Sequence, residues 1–266
     1  MTTTLLLLLV ALFLSLAMAA VWMVARQEGK SGWTDAVWSF ATGAAGVIAA
    51  LAPVGGPPSQ RQWIVTLLVG LWGARLGGHI AQRTAAHPHD DPRYAELRRI
   101  WGSNWSRQLF KFLQIQALCG WVLAASALLA ARNGAAFPAW SDYAGVALAL
   151  LAILGEALSD AQLRRFRAEP ANAGKVCTAG LWSWSRHPNY FFEWLGWVAI
   201  ALIAVGPSGT PLVQWLGLAG PALMYWLLVH ASGIPPLEAH MLRSRGEAYR
   251  AVQQRISAFW PRPPRS

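Results

Sequence analysis

Arginine, carboxylate and amide side chains recur in this sequence at helical spacing within otherwise apolar runs. The first set is Arg75, His79 and Arg83, four residues apart and therefore on one face of a helix. The second and third sets are Glu156, Asp160, Arg164 and Arg167, and Arg186, Asn189, Tyr190 and Glu193. Guanidinium groups bind phosphates, carboxylates accept hydrogen bonds from ribose hydroxyls, and amides pair with a carboxamide or a base edge. The three sets together predict a nucleotide site.

A simpler interpretation exists for some of these charges. Long basic side chains near helix ends reach water by snorkelling, and opposite charges four residues apart neutralise each other. This interpretation suits Arg83, Arg164 and Arg165. It does not suit Arg75, Glu156 and Glu193, which lie about a turn or more inside their apolar runs. An ionisable group there costs at least a few kcal/mol and usually faces a protein interior or a wet cavity.

The segment Ser-Arg-His-Pro-Asn-Tyr, residues 185–190, predicts a helix that begins near Pro188. Proline suits the first helical turn because its fixed dihedral angle is helical and its missing N–H would be unpaired there anyway. The next amides and the positive end of the helix dipole then point towards the preceding loop, which favours an anion at that place.

Composition predicts the elements that position these residues. Of the 266 residues 55% are hydrophobic and 13% charged, whereas soluble domains have about 25% charged residues. A helix crosses the hydrocarbon of a bilayer with about 20 mostly apolar residues. Seven stretches meet that length: 3–24, 34–53, 62–82, 110–131, 140–160, 188–205 and 211–231. We predict an all-α, polytopic membrane helical bundle of about seven transmembrane helices, forming one integral membrane domain over 1–266.

Basic residues predict the orientation of this bundle. Of the 22 Lys and Arg residues, 19 follow the first, third, fifth and seventh spans, whereas Arg61 and Arg132 lie on the other side and Arg75 within a span. The excess of basic residues marks the cytoplasmic side, so the N-terminus is predicted outside and the C-terminus in the cytoplasm. The three polar sets then open to the cytoplasm. Topology and anionic lipid account for the net charge of +10, so nucleic acid is not expected as a partner.

Two charged segments are predicted to be structured outside the spans. Residues 83–107 indicate a cytoplasmic connection with a short interfacial helix, and residues 236–261 indicate one amphipathic helix that ends before Pro261. Cys119 falls in an apolar run and Cys177 in a basic loop, and no two histidines have metal-ligand spacing. Neither a disulfide framework nor a metal site is expected.

Four motifs bear a resemblance to a known family. They are residues 159–167, Ser-Asp-Ala-Gln-Leu-Arg-Arg-Phe-Arg; residues 180–194, Gly-Leu-Trp-Ser-Trp-Ser-Arg-His-Pro-Asn-Tyr-Phe-Phe-Glu-Trp; residues 245–249, Arg-Gly-Glu-Ala-Tyr; and residues 259–261, Phe-Trp-Pro. They resemble the steroid 5-alpha-reductase C-terminal domain superfamily over about 30–262, and most closely its bacterial membrane branch. The resemblance implies a seven-helix enzyme, expected in a bacterial inner membrane, that holds NADPH in a cytoplasm-facing cavity while the acceptor enters from the bilayer.

The resemblance also implies which residues contact the cofactor. Those on motif positions are Asp160, Arg164, Arg167, Asn189 and Glu193. Further cofactor contacts are expected from Tyr190, Arg83, Glu238, His240 and Tyr249, and the helical spacing described above adds Arg75, Glu156 and Arg186.

The proton donor does not follow from the resemblance. The Gln-Glu pair of steroid reductases is not matched, since residues 53–57 read Pro-Val-Gly-Gly-Pro, and Trp72 stands where a tyrosine is expected. Hydride delivery to a C=C bond needs an acid near the developing enolate. Tyr190, His79 and Asp35 are the candidates, although Asp35 has a second interpretation as the N-cap of the second span.

The sequence therefore predicts an NAD(P)H-dependent reductase of a C=C bond in a lipid-soluble substrate, such as a steroid-like or isoprenoid enone. The Arg-His-Pro turn and the tail also resemble isoprenylcysteine carboxyl methyltransferases, which leaves an S-adenosylmethionine-dependent methyltransferase as the alternative. A non-enzymatic lipid-binding or transport protein is a third interpretation. The expected partners are the lipid bilayer and a hydrophobic small molecule, and the sequence does not predict an oligomeric state.

Overall fold

The protein is all-α. The computed structural model describes residues 2–28, 31–53, 56–86, 91–206 and 211–265, and 82% of the structure is helical, with no strand in those ranges. The α-helices are α1 Thr3–Glu28, α2 Trp33–Leu51, α3 Gln60–Ala86, α4 Pro92–Trp101, α5 Trp105–Ala131, α6 Trp140–Ala168, α7 Pro188–Val205, α8 Ala219–Trp226, α9 Ile234–Arg245 and α10 Glu247–Arg255.

Within the described ranges, seven helical segments are long and apolar enough to cross a membrane, which confirms the predicted number of spans. Six of these segments contain α1, α2, α3, α5, α6 and α7, and the seventh runs over Leu212–Arg245. The short helix predicted in the connection 83–107 is confirmed as α4, and its position at the membrane interface stays a prediction. Asp91 caps this helix because its carboxylate accepts a hydrogen bond from the Arg93 N–H at 2.9 Å.

Two predictions about the C-terminal third were wrong in detail. The seventh span was predicted as one helix, but it begins as a 3₁₀ segment over Leu212–Leu218 and passes from α8 into a π-helical turn over Leu227–Ala231. The tail was predicted as one helix over 236–261, but it is divided into α9 and α10, and helical structure ends at Arg255. Gly246 separates the two helices with a φ of 52°, which a side chain would disfavour.

The chain forms two compact units, and the first consists of Met1–Asp142 with Ile200–Gly220. Its core is built on one face of α1, which packs against apolar residues of α2 and α5. The buried residues of α1 recur every three or four positions: Leu6, Val10, Leu14, Met18, Val21 and Ala25. Leucines on the other faces of α1 are exposed: Leu5, Leu8, Leu9, Leu12 and Leu16. Exposed leucine along a long helix is the pattern of a lipid-facing surface.

A buried ion pair fixes the start of α3 in this unit. The Arg61 guanidinium donates to both carboxylate oxygens of Asp142, each at 2.7 Å. It also donates to the carbonyl oxygens of Asn133 at 2.6 Å and Ala135 at 2.8 Å. The positions of the predicted spans place Arg61 on the outer side. In the structure, its guanidinium group joins α3 to the α5–α6 connection and to the start of α6.

The second unit consists of Tyr143–Ala199 with Pro221–Ser266. It contains most of α6 and α7, together with α8, α9, α10 and the connection between α6 and α7. Aromatic rings from α7, α8 and the C-terminal segment pack together in it: Phe191, Trp194, Tyr225, Phe259 and Trp260. The Phe-Trp-Pro motif of the sequence therefore anchors the C-terminal segment to α7 and α8.

Candidate functional site

Close packing of α6 against α7 places their polar residues side by side. A Cβ on Gly155 of α6 would lie 2.3 Å from the Phe192 ring of α7, and one on Gly196 would lie 3.9 Å from Ala152. A side chain at position 155 would therefore force the Phe192 ring to move. Because 155 faces 192 and 152 faces 196, the helices run antiparallel, and residues 155–160 lie at the level of about 188–193.

Three carboxylates are buried at this level. The exposed fractions are 5% for Glu156, 8% for Asp160 and 7% for Glu193. The Asn189 amide nitrogen lies 3.5 Å from Asp160 Oδ1, so the structure brings together one predicted residue from each of two sets. Carboxylates within membrane-spanning helices are costly to bury and mark functional positions. This cluster, Glu156, Asp160, Asn189 and Glu193, is called the carboxylate–amide cluster below.

Two of the predicted arginines follow the cluster along α6. Arg164 and Arg167 lie one and two turns beyond Asp160 on the same helix face, and both are exposed. Helix α6 thus changes within three turns from buried carboxylates to exposed guanidinium groups. That order suits a ligand with hydroxyls or an amide at its inner end and phosphates at its outer end.

Arg186 has a different environment from the one that the sequence predicted. Helix α7 begins at Pro188, so the expected start at proline is confirmed, but Arg186 precedes the helix and does not share a helical face with Asn189 and Glu193. Its Nε donates to Glu238 Oε1 at 2.7 Å, and its Nη1 donates to the carbonyl oxygens of Gln253 at 3.2 Å and of Ile256. Three of the five guanidinium N–H groups are therefore used within the protein.

Glu238 is the centre of this arrangement, which is called the tail clasp below. Its Oε2 accepts from the Gln253 amide at 2.8 Å, and its Oε1 lies 3.1 Å from His187 Nε2. The side chains of Arg186 and Glu238 are 10% and 14% exposed. The tail clasp therefore ties α9 and the end of α10 to the turn that precedes α7.

Backbone contacts extend the tail clasp. The Arg186 N–H donates to the Ser257 carbonyl at 2.8 Å, and the Arg262 N–H donates to the Trp184 carbonyl at 3.1 Å. The Ser185 hydroxyl donates to the Phe259 carbonyl at 3.0 Å and accepts from the His187 N–H at 3.1 Å. The C-terminal segment thus fixes the N-terminal end of α7.

His187 links the tail clasp to Tyr190. Burial lowers the pKa of His187, and the hydrogen bond to Glu238 offsets this only in part. The imidazole is therefore neutral at pH 7, and its proton is on Nε2, because that nitrogen faces a carboxylate. The Tyr190 ring stacks on the imidazole with centroids 5.6 Å apart. Tyr190, a candidate proton donor, is thus held at the start of α7 beside a neutral histidine.

The other two predicted tail residues, Tyr249 and His240, differ in burial. Burial and the Glu238 charge raise the pKa of Tyr249, which is 2% exposed, so its phenol stays protonated. It lies next to Glu238 and Arg186, within the tail clasp. His240 of α9 is exposed.

The first unit contains the remaining predicted residues on α3. Arg75, His79 and Arg83 all lie in α3, as predicted, with Arg75 and His79 half-buried. Arg83 is 47% exposed and lies 3.4 Å from a carboxylate oxygen of Asp91. The meeting of this set with the sets on α6 and α7 stays a prediction.

Asp35 has structural partners that the sequence did not indicate. It lies in the first turn of α2, and Gly32 occupies the N-cap position, so the interpretation of Asp35 as an N-cap was wrong. Its carboxylate accepts from Arg93 at 2.6 Å and from the Tyr94 hydroxyl at 2.7 Å. These two contacts favour a role for Asp35 in joining α2 to α4.

The sequence did not indicate His187 and Gln253 as parts of the site, although His187 lies within the segment Ser-Arg-His-Pro-Asn-Tyr, residues 185–190. The sequence signal for His187 was its position next to Arg186 and Pro188. The sequence contains no signal for Gln253, because Gln253 contacts Glu238 only as a result of the turn at Gly246. Among the described residues no group of three His, Cys, Asp or Glu side chains is placed to hold a metal ion, and Cys119 and Cys177 are free thiols.

Comparisons with known proteins relate this chain to one family. The family DUF1295, described as a protein of unknown function, matches residues 21–256. An uncharacterized protein of Schizosaccharomyces pombe is 28% identical over 232 residues, which cover 77% of this chain. The chain spans 64% of the length of that relative. No solved structure matches this chain at a significant level.

Proposed function

This chain belongs to the DUF1295 family, the steroid 5-alpha-reductase-like group, and from that premise we propose that it is an NAD(P)H-dependent reductase of the membrane. The substrate class is a lipid-soluble molecule with a C=C bond conjugated to a carbonyl group. Family membership together with the helical bundle fits a membrane enzyme. The observation that supports this reaction is the carboxylate–amide cluster followed along α6 by exposed arginines.

The cluster has the chemical groups that a nicotinamide dinucleotide requires. Asp160 and Glu156 would accept hydrogen bonds from ribose hydroxyls, and the Asn189 amide would hold the carboxamide or a base edge. Arg164 and Arg167 would bind the phosphates. S-adenosylmethionine has no phosphate, so the arginines favour the dinucleotide over the methyl donor. When bound, the dinucleotide supplies a hydride and becomes oxidised.

The protein itself would supply the proton for the reaction and hold the proton donor in position. One proton must reach the carbon next to the carbonyl group of the substrate while the other alkene carbon accepts the hydride. Tyr190 would donate that proton from its hydroxyl group. The stacked imidazole of His187, held by Glu238, would fix the orientation of the Tyr190 ring, so the tail clasp acts on catalysis through Tyr190.

Ligand binding by the purified, detergent-solubilised protein tests the proposal. NADPH is expected to bind saturably, with energy transfer from the tryptophans to the dihydronicotinamide as the measured signal. Asp160→Ala and Asn189→Ala each remove a hydrogen bond to the ligand and should weaken binding by roughly tenfold or more, which corresponds to about 1.4 kcal/mol or more. Arg164→Ala and Arg167→Ala should weaken NADPH binding as well.

Two exposed substitutions serve as matched controls. Glu247→Ala removes a carboxylate whose side chain is 82% exposed, and Arg243→Ala removes an exposed arginine of α9. Neither should change NADPH binding. Saturable binding of S-adenosylmethionine with none of NADPH would contradict the reductase and support the methyltransferase.

A further inference from the structure

A separate small cavity lies on the side of α6 that faces away from the carboxylate–amide cluster. It has a volume of about 270 Å³ and is lined by Gln162, Arg165, Phe166, Cys177, Ala179 and Gly180. At 100° per residue, Gln162 and Arg165 lie about 160° and 140° around the helix from Asp160. The cavity is therefore distinct from the proposed cofactor site.

The connection between α6 and α7 forms one wall of this cavity. Gly180 has a φ of +60°, and a Cβ there would lie 2.5 Å from the Gln162 amide nitrogen, so the chain passes directly over Gln162. The Gln162 side-chain oxygen accepts from the Leu181 N–H at 2.9 Å, which fixes the wall. The cavity is thus formed by α6 and by a connection that a hydrogen bond holds in place.

Arg165 is the charged group of the cavity. Its side chain is exposed, and no carboxylate lies within ion-pair distance of it among the described residues. The C-terminal end of a helix carries a partial negative charge and does not attract anions by itself. An anion at this place would therefore be held by Arg165, the arginine that lines the cavity.

An exposed leucine stripe leads along α6 to the same cavity. Leu151, Leu154 and Leu158 are 54%, 67% and 49% exposed, and with Arg165 they lie within about 60° of one another around the helix. Helix α6 has 29 residues, which is about 43 Å at 1.5 Å per residue, longer than the roughly 30 Å of bilayer hydrocarbon. We therefore expect the leucines at the depth of lipid chains, and Arg165, near the C-terminal end of the span Trp140–Ala168, at the depth of headgroups.

We propose that this cavity binds the phosphate headgroup of an anionic phospholipid, with the acyl chains along the leucine stripe. The charge of Arg165 selects an anionic headgroup, and the continuous apolar surface selects a ligand with chains over a free anion. The volume corresponds to roughly nine water molecules at about 30 Å³ each, so a compact headgroup replaces water there. The site is independent of the reductase reaction.

The free thiol in the cavity makes the site directly measurable. The sequence has two cysteines: Cys177 is half-buried, and Cys119 is buried within α5. A Cys119→Ala variant therefore leaves Cys177 as the single thiol. Burial raises the pKa of Cys177, and rates of maleimide labelling are therefore compared at one fixed pH. The protein is kept in a neutral detergent, and dioleoylphosphatidylglycerol, dioleoylphosphatidylcholine or inorganic phosphate is added.

Phosphatidylglycerol is expected to slow Cys177 labelling roughly tenfold at about ten times its Kd, since only a small fraction of sites then stays empty. Phosphatidylcholine and inorganic phosphate should leave the rate unchanged. Arg165→Gln should abolish the protection, whereas Arg243→Gln, the same change at an exposed residue of α9, should keep it. A rise in Tm with phosphatidylglycerol, lost in Arg165→Gln, is the second measurement.

Three outcomes would overturn the proposal. Equal protection by phosphatidylcholine would show general occlusion by lipid, and protection by inorganic phosphate alone would show a site for free anions. Protection that persists in folded Arg165→Gln would show that the arginine does not recognise the headgroup. None of these outcomes bears on NADPH binding, so failure here is distinguishable from failure of the reductase proposal.

Discussion

Two arginine–glutamate pairs in the second unit show how burial decides what a charge contributes. Arg186 and Glu238 are nearly buried and share further partners, whereas Arg250 and Glu247 form an i, i+3 pair with 63% and 82% of their side chains exposed. Water screens the exposed pair, and its side-chain entropy opposes it. Removing one member of the buried pair leaves the other charged and desolvated.

We therefore expect Glu238→Ala to destabilise the protein by about 3–5 kcal/mol, because Arg186 and His187 lose their common partner. Thermal unfolding in detergent measures the change. The matched substitution Glu247→Ala should leave Tm unchanged. Equal Tm values for the two variants would show that the tail clasp does not contribute to stability.

His187 should give the protein a pH dependence of stability. Its pKa is lowered in the folded state, mainly by burial, so the unfolded chain binds more protons once the pH falls below the ordinary histidine pKa of about 6.5. The contribution is complete above that pH and is lost as the pH falls below it. Tm measured between pH 8 and 5 should fall less steeply in His187→Gln than in the natural protein; equal slopes would contradict this assignment.

Helix α3 illustrates at the scale of an element how glycines determine packing. A Cβ on Gly73 would lie 2.7 Å from the Gly43 Cα of α2, so the two backbones are in contact where the helices cross. A Cβ on Gly78, five residues further along α3, would have no neighbouring atom within 4 Å and would face open space. Small residues allow such close crossings between membrane helices, where apolar surface alone gives little driving force.

Gly73→Ala should therefore destabilise the protein by about 1–3 kcal/mol, because backbone atoms cannot move aside as a flexible side chain can. Gly78→Ala should be neutral or slightly stabilising, since alanine restricts the unfolded chain and meets no neighbour. Thermal unfolding of both variants in the same detergent measures the difference. A neutral Gly73→Ala would contradict the close crossing of α2 and α3.

The errors about the tail helix and about the helix face of Arg186 have a common cause. The tail was predicted as one helix because its charge pattern is continuous, but a periodic pattern does not reveal a backbone reversal, and Gly246 turns the chain there. Arg186 was assigned to the face of Asn189 because their spacing of three is helical, but the helix begins only at Pro188. Spacing predicts a shared face only when both residues lie within one helix.

The orientation of the whole molecule in its membrane is a prediction of the charge distribution. A green fluorescent protein fused to the C-terminus should fluoresce in the cytoplasm of a bacterial host, and alkaline phosphatase fused there should be inactive, because positive connections stay inside. Phosphatase fused after Gly134, in the α5–α6 connection, should be active. Activity at the C-terminus and none at Gly134 would reverse the orientation.

The sequence by itself determined the all-helical architecture and the number of spans. Both depend on properties local to a segment, namely its apolar length and the need to satisfy backbone hydrogen bonds within lipid. It also identified the buried carboxylates of α6 and α7, since an ionisable residue inside an apolar run is visible without any contact. The sequence predicted only in part which residues of the other helix lie next to these carboxylates. The distance of 3.5 Å between the Asn189 amide nitrogen and Asp160 Oδ1 joins two sets that helical spacing treats separately.

Only the tertiary structure decided what the charged residues contact. Arg186 pairs with Glu238 across 52 positions and Asp35 with Arg93 across 58, and no periodicity relates residues so far apart. The sequence offered Arg186 as a cofactor-binding group and Asp35 as a candidate proton donor, because their residue types fit those roles. Folding placed Arg186 in a clasp and Asp35 in a structural pair, and it opened the Arg165 cavity, because the connection between α6 and α7 turns back over Gln162.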